Sequence, residues 1–151
     1  LEGDDVTDAE RLKAHVVERL APLRSAGFTN FDSTESSNAG QVEISLSSTA
    51  VQADRQLVID IRFGPTAREG TAVLWLGRVS DDGGFLLSHF AKRHKVPPPP
   101  DRFGPGDSSA TLTALLDALC DWLLAFSAGP FASFLSGETW ERVPFDWDGY
   151  R

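Results

Sequence analysis

The chain has 151 residues, a formal net charge of −8, 41% hydrophobic residues and ten Phe. That length suits one domain spanning residues 1–151, and the apolar content fills a core with no cofactor, metal or disulfide staple. The single cysteine, Cys120, excludes an internal disulfide framework and points to a reducing, cytoplasmic compartment.

In chain order, Leu1-Glu2-Gly3 opens without Met, so residues 1–6 read as a flexible start, a cloning scar or the cut edge of a longer protein. Thr7-Asp8-Ala9-Glu10 has the spacing of a capping box. Leu12, Val16, Leu20 and Leu23 then form one apolar helical stripe, with His15 and Val17 beside it. Pro22 should end or kink the regular turns, and Gly27 supplies a left-handed stop. Phe28 to Ser33 reads as extended and Thr34 to Gly40 as a polar loop. Val42, Ile44 and Leu46 alternate with polar residues, as do Leu57, Ile59, Ile61 and Phe63, predicting two strands separated by a turn at Gln52-Ala53-Asp54. Thr71 to Val79 is apolar on both faces and reads as a central strand. Asp81-Asp82-Gly83-Gly84 predicts a reversal, and Phe85 to Phe90 a returning strand. Such short connections favour an antiparallel meander of four to five strands within residues 28–90.

Residues 91–107 form a connector that carries Lys92-Arg93-His94-Lys95, four consecutive prolines and Gly104-Pro105-Gly106. The prolines impose a stiff spacer. Asp107 or Ser108 should cap a long helix whose apolar face is Leu112, Leu115, Leu116, Leu119, Leu123 and Phe126, with Trp122 alongside and Asp117 and Asp121 on the opposite side. Gly129-Pro130 leads into a short helix, Phe131 to Leu135, closed by Gly137. Residues 138–151 form a tail that alternates aromatic and acidic side chains. The fold class is therefore α+β: helix, antiparallel meander, long helix, short helix, with the helices mainly on one face of the sheet.

Candidate chemistry is sparse. Glu43 and Asp60-Ile61-Arg62 approximate the acid and acid-x-base layout of Mg²⁺-dependent nucleases, with Arg62 where a lysine is expected. Acids on the solvent face of a strand are ordinary, and Asp60 and Arg62 can simply pair there. His15, His89 and His94 share no ligand spacing, and no nucleophile elbow or phosphate-binding loop is present. Four bases at residues 92–95 beside an acidic body make a weak nucleic-acid signal. No apolar run reaches the roughly 18–20 residues that span a bilayer, and no signal segment opens the chain. Zero Met and only three Lys suggest a GC-rich bacterial genome.

Charge distribution says more than the sum. Residues 1–40 carry eight acids against four bases, residues 41–106 seven against eight, and residues 107–151 seven against two. An acidic surface repels nucleic acid and anionic lipid and attracts basic proteins. Asp81, Asp82, Asp146 and Asp148 are candidates to steer such a partner, and Trp147 and Tyr150 to anchor it. Alternatively, Trp140, Phe145 and Trp147 fold back to complete the core.

The stop at Leu20-Ala21-Pro22-Leu23-Arg24-Ser25-Ala26-Gly27-Phe28, the meander and the helix running into Gly129-Pro130-Phe131-Ala132-Ser133-Phe134-Leu135 resemble small bacterial proteins of unknown function. Some of these look like immunity proteins encoded beside polymorphic toxins. The resemblance implies a non-catalytic inhibitor that occludes a cognate toxin. A nuclease-like enzyme using Glu43 and Asp60, or an accessory domain of a larger bacterial protein, is the alternative. The sequence leaves the oligomeric state open.

Overall fold

Period-two alternation builds the sheet, and pairing fixes its register. In the computed structural model, which describes residues 8–64, 70–103 and 109–144, five antiparallel strands follow in chain order. They are β1 (Asp32–Asn38), β2 (Gln41–Ala50), β3 (Arg55–Phe63), β4 (Gly70–Arg78) and β5 (Asp81–Leu86). A two-residue strand, β6 (Arg102–Phe103), pairs with the start of β4. Ile44, Ile61 and Ala72 lie side by side across the sheet, as do Leu46, Ile59 and Leu74, then Ser48, Leu57, Leu76 and Phe85. All of these are buried on one face. The intervening residues point to the other face.

The helices gather on the apolar face. Helix α1 (Asp8–Arg19) runs into a 3-10 turn (Ala21–Ala26) and lies over β1 and β2 at the sheet edge. Its N-terminal turn is held from the sheet: the Ala9 N–H donates to the Glu35 carboxylate at 3.1 Å, and Ser33 Oγ donates to Glu10 at 3.1 Å. Helix α2 (Leu87–Arg93) follows β5 directly, and α3 (Ser109–Ala128) and α4 (Ala132–Ser136) complete the layer. The expected stripe of α3 is buried from Leu112 to Phe126.

Several expectations are corrected. The polar stretch 34–40 is mostly strand, because pairing with β2 satisfies its backbone while its side chains stay exposed. Its reversal is Ala39-Gly40, both at positive φ, the geometry of a tight primed hairpin turn. The reversal assigned to residues 81–84 lies instead at Val79-Ser80, so Asp81 pairs with Arg78 and residues 81–86 are strand. Phe90 is not in a strand: its helix turns it into the core, where it is fully buried. Asp117 and Asp121 lie on the side of α3 away from its apolar stripe, as expected, but they are not unpartnered like charges. They meet α1 through His15 and Arg19, with His15 Nε2 to Asp117 at 2.6 Å and Arg19 Nε to Asp117 at 3.2 Å, and Arg19 also pairs with Asp121. The expected capping residues Thr7, Asp107 and Ser108 lie outside the described residues.

Two structures lock the C-terminal segment onto the sheet. One is an aromatic cluster centred on Phe90, which stacks on Phe85 and meets Phe126, Phe131 and Phe134 edge-on at centroid distances of 4.8–5.4 Å. The other is Arg55, a charged side chain only 2% exposed. Its guanidinium donates to the carbonyls of Phe134 and Thr139, to the Asp54 carbonyl at 3.0 Å, and lies 4.5 Å from the Trp140 ring centroid. Burial pushes its pKa down, while the neighbouring Asp54 opposes that shift. The close approach of the two segments admits only glycine at position 137. There φ is +92°, and a Cβ would fall within 3.0 Å of the Ala53 carbonyl carbon.

Replacing Arg55 by Met keeps much of the volume but strands the carbonyls of Phe134 and Thr139. Arg55→Met should therefore lose about 2–4 kcal/mol in urea denaturation. It should also make the chain beyond Gly129 the first site of limited proteolysis.

Candidate functional site

The sheet face opposite the helices carries the polar residues that the sequence singled out. Glu43 stands directly opposite Arg62, and Ser45 opposite Asp60. Glu43 and Arg62 form an ion pair at 3.4 Å, so Arg62 pairs across the strands rather than with Asp60 along its own. Among the described residues Asp60 carries no ion pair. Thr34, Ser36, Glu43, Ser45, Asp60 and Arg62 line a shallow hollow of about 180 Å³ at this face. Next to it Val58 and Trp75 are paired, and Val73 stands beside Asp60. All three are half-buried and lie outside the main core. Asp32, Glu43 and Asp60 place three carboxylates here against the guanidinium groups of Arg62 and, at the β6 margin, Arg102.

The nuclease layout is thus assembled on neighbouring strands, but one of its two carboxylates is already neutralised by Arg62. Among the described residues no group of three or more His, Cys, Asp or Glu converges as a metal site would.

A second hollow, of about 270 Å³ and nearly all apolar, opens where the proline segment crosses α3. Val96, Pro97, Trp122, Phe126, Pro130 and Phe131 line it. The Trp122 indole N–H donates to the Pro97 carbonyl at 2.9 Å, which ties the stiff connector to the helix. The basic cluster is partly used as well. Arg93 meets Glu141 at 3.3 Å, and His94 bonds the same carboxylate while stacking near Phe90 at 4.3 Å. Those contacts and the Trp140–Phe85 pair, 5.1 Å apart, fold the tail back over the helix side as far as residue 144.

The proposed partner-binding residues divide in two. Asp81 and Asp82 begin β5, at the opposite end of the strand order from β1. Asp146, Trp147, Asp148 and Tyr150 lie outside the described residues. Sequence reading missed the exposed flank of Trp75, because a strand apolar on both faces looks buried on both. Among the described residues no helix is long and apolar enough to cross a membrane.

Two titrating groups show what the local structure does to charge. Burial pushes the Cys120 thiol up to about 12; Arg19 pulls it down and Asp117 and Asp121 push it further up. The native chain should resist iodoacetamide at pH 8 and react once denatured, as mass spectrometry would show. At the other end of the sheet Asp54 takes the Ser80 N–H at 2.8 Å and the Ser80 hydroxyl at 2.5 Å. These bonds hold its carboxyl below the ordinary 3.8. A carboxyl depressed in the folded state stabilises above its unfolded pKa and loses that contribution as pH falls through the folded value. Asp54→Asn should accordingly be less stable than the parent at neutral pH, with the gap in melting temperature closing below pH 3.8.

Comparison with protein-family models, with curated proteins and with solved structures gave no match.

Proposed function

We propose that this chain is a non-catalytic protein-interaction domain, an immunity-type inhibitor that occludes a basic effector. The observation that carries the reading is the one-sided sheet. The face that no described helix covers sets a half-buried apolar row of Val58, Val73 and Trp75 beside Asp32, Glu43 and Asp60. An aromatic and aliphatic centre with a charged rim is the usual anatomy of a protein interface. Excess carboxylate selects a basic partner and speeds its capture, and the net charge of −8 adds to that field. The inhibitor would work in a reducing cytoplasm of a bacterial cell, where the lone thiol of Cys120 stays reduced.

Co-expression with the products of the genes adjoining its own tests the reading. Rescue of growth from a toxic basic neighbour, with direct binding by calorimetry, is the expected result. Trp75→Ala and Asp60→Lys should each weaken that binding by about tenfold or more while melting temperature stays near the parent's. Failure to neutralise any neighbour would remove the reading. Mg²⁺-dependent cleavage of nucleic acid by the purified chain, lost in Glu43→Ala or Asp60→Ala, would replace it with the nuclease reading.

A further inference from the structure

The margin of the sheet at β1, open among the described residues, carries an inference that rests on the interaction reading and gives it a docking mode. Strand β1 is the first in the sheet order, with β2 as its one neighbour among the described residues. Its seven residues pair with β2 in unbroken register, from Asp32 opposite Ser47 to Asn38 opposite Gln41. The two-residue turn at Ala39-Gly40 makes Asn38 and Gln41 the closing hydrogen-bonded pair. By alternation Asn38, Ser36, Thr34 and Asp32 aim their backbone groups at β2, and Ser37, Glu35 and Ser33 aim theirs outward. Three N–H and three carbonyl groups are thus displayed along an otherwise regular strand.

Sheet edges are commonly blunted by a lysine, a proline or a bulge that stops a further strand from adding. None of these occurs in Asp32-Ser33-Thr34-Glu35-Ser36-Ser37-Asn38, whose side chains are short and, except for Ser33, exposed. The only charges on the strand are the carboxylates of Asp32 and Glu35. A second copy of the chain is a poor occupant: two bodies of −8 each would meet, with Glu35 opposite Glu35 in the pairing centred on the strand. A basic strand has neither problem.

We propose that β1 is a β-augmentation edge that accepts an extended, lysine- or arginine-bearing segment of a partner protein. The partner's backbone bonds to Ser33, Glu35 and Ser37, and its basic side chains lie beside Asp32 on the open face, the Glu35 carboxylate being held by the Ala9 N–H on the helix side. The added strand would extend the open face outward from Asp32, Thr34 and Ser36, so that face and edge form one continuous surface.

The test uses the full chain labelled with ¹⁵N and two capped eight-residue peptides, one alternating Lys with Val and the other Glu with Val. Expected are shifts and slowed solvent exchange at the amides of Ser33, Glu35 and Ser37 with the lysine peptide, and none with the glutamate peptide. Ser37→Pro removes an outward N–H and is compatible with an edge strand, so it should keep the fold and weaken the peptide about fivefold or more. Asp32→Lys should weaken it too, through charge alone. Equal binding of both peptides, shifts centred away from β1, or unchanged affinity in Ser37→Pro would overturn the proposal. So would a peptide-free dimer joined through β1. If the effector of the preceding section binds and Trp75→Ala or Asp60→Lys weakens it while Ser37→Pro does not, the edge proposal fails and the inhibitor reading stands.

Discussion

The buried guanidinium of Arg55 is the constraint on which the rest of the arrangement depends. It sits at the first residue of β3, fully enclosed, and among the described residues its hydrogen bonds go to backbone carbonyls, with the neighbouring Asp54 opposing the effect of burial. A charge in that position is tolerable only if its donors are matched, and here the matches are backbone carbonyls from two distant stretches of chain. The carbonyls of Phe134 and Thr139 are brought to it by α4 and by the turn at Gly137, whose lack of a side chain allows contact with Ala53. Trp140 then closes over the guanidinium and against Phe85. Removing the cation would leave the start of the tail without its anchor, and with it the Glu141 contacts to Arg93 and His94.

Because that anchor draws the C-terminal segment to the helix side, every described helix and the tail to residue 144 share one face of the sheet. The opposite face is left with alternating small polar, aliphatic and acidic side chains. This asymmetry leaves one face of the sheet open among the described residues. It also explains the mismatch between the chemistry suggested by Glu43 and Asp60 and what their surroundings do: Arg62 consumes one carboxylate, and the hydroxyls of Thr34, Ser36 and Ser45 line the space beside the other. Among the described residues no third carboxylate, histidine or cysteine joins Glu43 and Asp60 as a divalent-cation site would need.

Much of this was legible in the residues, and the exceptions have physical causes. Alternation in β2 and β3, the leucine stripe of α3 and the stop at Gly27 are local signals, and the structure keeps them. β1 was not legible because Ser, Thr, Asn, Asp and Glu have little strand preference; a neighbouring strand, not its own composition, makes it extended. The run from Asp81 to Gly84 has strong turn residues, yet the chain had already reversed at Val79-Ser80, where Asp54 of a different hairpin fixes Ser80. Arg55 reads as an ordinary polar residue at a strand start, since nothing nearby in sequence announces the carbonyls that reach it from residues 134 and 139. The same is true of Asp117 and Asp121, whose partners lie a hundred residues earlier.

That last separation bears on the order in which the molecule assembles. The five strands are joined hairpin by hairpin, so their pairing closes short loops and proceeds locally. The clasp of His15 and Arg19 on Asp117 and Asp121 spans about 100 residues, the separation recorded for each of those contacts, and its loop-closure entropy is recovered only once the intervening sheet exists. Substitutions in the meander should therefore register mainly in the refolding rate, and substitutions in the clasp mainly in the unfolding rate. Helices α1 and α3 act as a late-closing fastener, one that sets how long the native state persists more than how quickly it is found.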